Sequence, residues 1–478
     1  MKCITFIRLC FLWLLLVGQS SVTLYSQTED QNLHKYWYYR QRLINDFVVT
    51  GSDSGQSLVS GIRNLWDGPA IHYGDAPVYE GYYISTLSTE YRLLVLSHLE
   101  TNHTLTELYY LLEAINRQGL RAEKLWGLPP SPVPQTGYML ENDVSADFCQ
   151  RNQARLNRVI ADSVVTTGSG KCGMVNNVIG NYSNTDKQDN TCSQDHLANV
   201  LVGLAFCARY VGDSLHFHDV ITGTERIYSF RSTATAMAAR ILHYMRDKPF
   251  GGHSWILHRP DGTRLSNNKG GIALFNSYGF AKAGTAITGK PYGNFTSSFL
   301  SLYWKYIPHF RLLRVNQDNL IFGLELSAVG DSWRGAGKKS KTLKHILRCA
   351  DYNASPVGLY AANHYGWDQY YGAVFCLLHP AQEQQQLLNY VRIQSILNTA
   401  PAQGPFYHAA GDLAPNGWAG SSGRFYDKPP DQDKGKSSFP GNYNGLDYMI
   451  LYNCYRLLKA GDTALPAYQM TTEFNGTY

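Results

Sequence analysis

Residues 191–211 read TCSQDHLANVLVGLAFCARYV. Apolar side chains fall at Leu197, Val200, Leu201, Leu204, Ala205, Ala208 and Val211, the i, i+3/i+4 stripe of a helix with one buried face. Thr191 and Gln194 have the spacing of a capping box, and Ser193 is a second candidate N-cap. Asp195 and His196 stand in the first turn. Gly203 in mid-helix costs roughly 1 kcal/mol against Ala, a cost that a neighbouring helix packed very close would explain. The stretch predicts a buried helix with titratable groups at its N-terminal mouth.

Four other segments share this character: 79–98, 270–288, 367–379 and 443–459. Between them lie amphipathic patterns at 33–49, 104–118, 230–246, 295–306, 341–352 and 383–397, whereas 307–340 gives no decisive period. The connections include Gly-, Pro- and Asp-rich loops over 51–77, 125–138, 166–190 and 400–443, and a short hairpin or cleft-lining loop at 251–266. No strand-type alternation of any length competes, and no residue identity recurs at a fixed period. Apolar helices each backed by an amphipathic one predict an all-α fold, an α/α toroid of about six helical hairpins with long loops. A plain α-solenoid would read similarly over single hairpins.

The first residues, MKCITFIRLCFLWLLLVGQSSVTLYS, carry Lys2 and Arg8, then an apolar run and small polar residues. That is the form of a signal peptide over 1–26, too short for a membrane span, and it predicts a secreted or periplasmic protein with one domain over 27–478. No later apolar run is long enough to span a bilayer, so stable membrane insertion after cleavage is not expected. Without Lys2 and Arg8 the chain has 40 basic against 37 acidic residues and no Lys/Arg-dense tract, which argues against nucleic acid as a partner. Seven cysteines remain beyond the leader. Cys207, Cys376 and Cys454 read as buried thiols, and Cys172 with Cys192 is the best disulfide candidate in an exported chain. No CxxC or HExxH occurs, so no metal and no cofactor is expected, and activity should survive chelation.

In a toroid the inner helices run parallel and their N-terminal ends gather at one mouth. Those ends carry Tyr79-Glu80, Ser193-Gln194-Asp195-His196, Gly270-Gly271, Trp367-Asp368-Gln369 and Tyr443-Asn444-Gly445-Leu446-Asp447. One carboxylate in a first turn is ordinary compensation of the helix dipole, worth about 0.3–1 kcal/mol. Several on converging helices make an acid/base set, so Asp195, Asp368 and Asp447 are the catalytic candidates, with Glu80 beside them. The densest polar-aromatic cluster runs from Asn363 through His364 and Tyr365 to Trp367. There His364 or Tyr365 could move a proton, Asn363 hold a carboxylate and Trp367 stack on a sugar ring. His196, Tyr443, Asn444, His253 and Trp255 complete the expected substrate-binding set. Each also has a structural reading, as a cap, a loop hydrogen bond or a core contact.

The leader, the alternation of apolar and amphipathic helices, and the carboxylates and aromatics at the apolar helix starts resemble secreted α/α-toroid proteins over roughly residues 30–460. That class contains six-hairpin glycosidases and the toroid domains of polysaccharide lyases. Phrases such as YYISTLSTEYRLL, CSQDHLANVLVGL and YNGLDYMILYN are also similar to those of exported bacterial proteins. The resemblance is architectural, matches no family-defining motif and carries over no catalytic residue. It implies an oligo- or polysaccharide partner and three functions in order: glycoside hydrolysis by paired carboxylates, β-elimination of a uronic acid chain, or glycan binding without turnover.

Overall fold

The computed structural model describes residues 29–63, 70–145, 147–152, 155, 174–176, 190–247, 255–265, 276–306, 317–331, 342–344, 346–347, 367–380, 385–407 and 441–478. In chain order these form α1 over 29–46, β1 (Ile62–Arg63), β2 (Ala70–His72), α2 (Ala76–Leu96), α3 (Asn102–Leu125), the single turn α4 (Phe148–Arg151), β3 (Met174–Asn176) and α5 (Gln194–Tyr210). A hairpin follows, β4 (Leu215–Asp219) and β5 (Thr224–Tyr228), then α6 (Phe230–Arg246), α7 (Ser277–Thr288), α8 (Phe295–Tyr306), α9 (Gln317–Gly330) and α10 (Trp367–Leu378). The chain closes with α11 (Tyr390–Thr399), β6 (Phe406–Tyr407), β7 (Gly441–Tyr443) and α12 (Leu446–Leu458). The protein is mostly helical, as the apolar periods predict, and among the described residues no helix is long and apolar enough to cross a membrane.

The quoted stretch is α5, and it is buried more widely than one stripe. Leu197, Val200, Leu201 and Leu204 are sealed from solvent, and so are Ala198, Asn199, Val202 and Phe206 on the other faces. Each buried Leu or Phe contributes about 1.5–3 kcal/mol of transfer free energy. Gly203 has the reason its position predicts. A Cβ there would stand 2.6 Å from Gly81 O and 2.9 Å from Ile84 Cβ of α2, so the two helix backbones touch. His196 at the start of α5 reaches Asp75 at the start of α2, while Gly203 meets Gly81 further along, so α2 and α5 run parallel.

Other contacts extend this arrangement. Tyr210 at the end of α5 donates to Leu377 O at the end of α10 (3.1 Å), and His379 just after α10 meets Val329 O at the end of α9 (2.7 Å). Asn444, before α12, donates to Ser60 O, and the adjacent Gly61 lies against the Tyr79 ring at the start of α2. The apolar helices are therefore parallel, and α12 packs on α2, α2 on α5, α5 on α9, α9 on α10, and α10 on α12. The undecided 307–340 region supplies α9, which lies between α5 and α10. The helix expected over 270–288 is α7 and packs mainly against α9, α6 and α8.

Two small sheets were not foreseen. β4 and β5 pair antiparallel, Leu215 opposite Tyr228. The other sheet has the order β3-β2-β1-β7-β6, with Ile62 opposite both His72 and Tyr443. β2 ends shortly before α2 and β7 shortly before α12, so this sheet lies at the N-terminal ends of the parallel helices. The expected loop hairpin near 251–266 is present as a His258–Arg264 bridge.

α1 joins α2 and α3 through a buried charge network. Arg40 is fully enclosed, with Glu90 at 2.6 Å and Glu107 at 3.0 Å. Tyr36 and Thr104 donate to Glu90, and Tyr83 and Tyr478 donate to Glu107. The paired charges and hydroxyl donors make this a structural cluster that ties the chain end to α3.

Candidate functional site

His196 is oriented by the cap of its own helix. Ser193 is the N-cap of α5, and its backbone N–H donates to His196 Nδ1 at 3.3 Å, which turns Nε2 toward α2. There Nε2 meets Asp75 Oδ1 at 3.0 Å across 121 residues of sequence. Asp75 is the N-cap of α2 and holds a left-handed backbone, φ 57° and ψ 26°, unusual for a residue with a side chain. Its own N–H donates to Glu141 Oε1 at 2.7 Å. One ligand atom from each of Asp75, Glu141 and His196 lies within 4.8 Å of the other two, so these three residues could hold a metal ion. Burial opposes a charge on the His196 ring, but Asp195, the bond to Asp75 and Cys192 outweigh it, and the pKa lies well above that of a free imidazole. A proton on Nδ1 breaks the contact with Ser193 N–H, so the ring couples its charge to the α5 cap.

Asp195 precedes His196 in the first turn of α5. Ser193 Oγ donates to its Oδ1, and its charge acts on Glu325 of α9. Glu325 is buried, and neither of its carboxylate oxygens has a hydrogen-bond partner. Burial, and then the Asp195 charge, push its pKa well above the usual carboxylate range. Tyr370 and Tyr371, in the first turn of α10, lie within reach of the Glu325 charge. Burial and then that charge raise both phenols well above their ordinary values. Glu80 on α2 is a second buried carboxyl. Its Oε1 accepts from Gln118 at 2.8 Å, its Oε2 has no partner, and burial moves its pKa to about 8.

Of the residues expected at the mouth, Asp195, His196 and Glu80 are there. Asp447, in the first turn of α12, is 7% exposed and its Oδ1 accepts from Tyr448 N at 2.8 Å. Asn444 holds Ser60 O through Nδ2, and its Oδ1 accepts from Leu446 N. Tyr443 belongs to β7, with its carbonyl bound by Arg42. These three organise the start of α12. Asp368 and Trp367 open α10, as expected, but their side chains lie outside the described residues, as do Asn363, His364, Tyr365 and His253.

Trp255 corrects its expected role on a cleft wall. It is fully buried, and its Nε1 donates to Asn294 Oδ1 at 3.0 Å, so it plugs the core beside α6. Cys192, proposed for a disulfide, is a buried free thiol, and Cys207, Cys376 and Cys454 are buried thiols as their apolar surroundings predict. A cavity of about 570 Å³ lies away from the mouth, between α1 and the end of α11, lined by Asn32, Lys35, Tyr38 and Asn398 among others.

Asp75, Glu141 and Glu325 were missed. Asp75-Ala76-Pro77 is a readable helix start, because Asp caps and Pro suits the first turn. Glu141 lies in irregular chain after a Pro-rich stretch. Glu325 is a lone acid in an apolar run and gave no periodic signal. Comparison with family models, with curated proteins and with solved structures finds no match.

Proposed function

We propose that this chain is a secreted carbohydrate-active enzyme that hydrolyses glycosidic bonds at the N-terminal mouth of an α/α toroid. The toroid is supported by the succession of parallel helix contacts that returns from α10 through α12 to α2, with amphipathic helices such as α3 and α6 packed outside it. Secretion is supported by the form of residues 1–26, and the domain is read as one unit over 27–478.

The observation that carries the reaction is Glu325, a buried carboxyl whose two oxygens have no hydrogen-bond partner among the described residues, within electrostatic range of Asp195. Glycosidases divide labour between two carboxyl groups, one protonated to donate to the leaving oxygen and one ionised to act on the sugar or on water. Glu325 takes the first role because its surroundings keep it protonated. Asp195 takes the second, held by Ser193 Oγ in the first turn of α5. Elimination would fall to His364 or Tyr365, which lie outside the described residues, so hydrolysis is the reading that Glu325 supports.

The test is a panel of neutral and uronic acid polysaccharides, followed by reducing-end release and by the absorbance of an unsaturated product. Reducing ends alone support hydrolysis. Both signals would establish elimination instead, and binding without turnover would make the chain a glycan-binding module.

A further inference from the structure

We propose that Asp75, Glu141 and His196 form a binding site for a divalent transition cation such as Zn²⁺ or Mn²⁺. The site stands whether or not the chain hydrolyses saccharides, and it revises the expectation of a metal-free protein. Two carboxylates and one imidazole match the cations that take mixed oxygen and nitrogen ligands, whereas Ca²⁺ and Mg²⁺ prefer oxygen alone. Ligand atoms about 2.0–2.2 Å from one ion stand roughly 3–4 Å apart. Asp75 Oδ1 and His196 Nε2 are 3.0 Å apart, and all three ligand atoms lie within 4.8 Å of one another. Closing on an ion needs only a small side-chain adjustment, which Asp75 can make because its side chain is 44% exposed.

The three ligands come from different parts of the chain, and backbone groups of the two helix starts position them. His196 is turned by the cap of α5, Asp75 is the cap of α2, and Glu141 is tied to the Asp75 N–H. Another group near His196 favours a cation. The Asp195 carboxylate acts on the ring. The ion would take the place of the Nε2 proton now shared with Asp75, and that proton would pass to solvent. The exposed Asp75 side gives the route in, while His196 and Glu141 are buried.

The experiment is calorimetric titration of the chelator-stripped full chain with ZnCl₂ and MnCl₂, with CaCl₂ and MgCl₂ as controls. A second readout is the visible absorption of bound Co²⁺. One equivalent of Zn²⁺ or Mn²⁺ should bind. Glu141→Gln and His196→Gln should each weaken it by on the order of 10²-fold, and Asp75→Asn should do the same. Asp75 is at the exposed lip, so that variant keeps the test decisive if the buried ones fail to fold. Absence of binding to the folded wild type, or binding that Asp75→Asn leaves unchanged, overturns the proposal.

Discussion

Replacing Glu80 by Gln should make the protein more stable at neutral pH and leave it almost unchanged in acid. Glu80 is fully buried, and burial raises its pKa from 4.5 to about 8 despite the hydrogen bond from Gln118. A carboxyl whose folded pKa is raised contributes its full stability below the unfolded pKa and loses it as pH climbs to the folded pKa. The window is therefore pH 4.5 to about 8. Within it, stability falls by about 1.4 kcal/mol per pH unit, about 3 kcal/mol by pH 7. Gln has the shape of the protonated acid and keeps an oxygen for Gln118, so the variant should lose this slope. Urea unfolding of both proteins in chelator, from pH 4.5 to 8, reads the difference directly. It should grow from near zero to about 3 kcal/mol at pH 7. Parallel stability curves, or a variant weaker than wild type at pH 7, would refute the assignment of Glu80 as a buried neutral acid.

Arg40→Ala should cost about 3–5 kcal/mol in denaturant unfolding, because it leaves Glu90 and Glu107 buried without their cation. Gly203→Ala should destabilise by about 1–3 kcal/mol even though Ala is the better helix former, since its methyl meets Gly81 O. A gain in melting temperature would show that α2 and α5 are not in backbone contact. Cys192, Cys207, Cys376 and Cys454 should stay unlabelled by a thiol reagent in the native protein and react in denaturant. Burial encloses all four and raises their pKa values.

The helical architecture was legible where a period or a cap stood in the sequence. The α5 stripe, the close approach at Gly203 and the N-terminal position of Asp195 and His196 all follow from residues 191–211. The 317–330 segment was not legible. Beyond its polar first turn it is apolar on nearly every side, so it lacks the amphipathic signal by which a helix is recognised, and Glu325, the acid inside the apolar run, looks like an interruption. Partnerships were less legible still. Asp75 and His196 meet because α2 and α5 are parallel, a fact that no local pattern carries. Trp255 shows the opposite failure. It is a residue type common on sugar-binding surfaces, but here it fills the core. β1, β2, β3, β6 and β7 were missed because two- and three-residue strands leave no alternation to read, and the five-residue strands β4 and β5 are still too short to compete with the helical periods around them.

The most direct test of the central claim is the activity of Glu325→Gln on two substrates. One is the polysaccharide that the wild type cleaves, and the other is the aryl glycoside of the same sugar with a leaving group that needs no proton. If Glu325 is the general acid, kcat on the polysaccharide falls by on the order of 10²-fold or more, while kcat on the activated glycoside changes little. An equal fall on both substrates, or full activity on the polysaccharide, would contradict that role and with it the proposed hydrolysis.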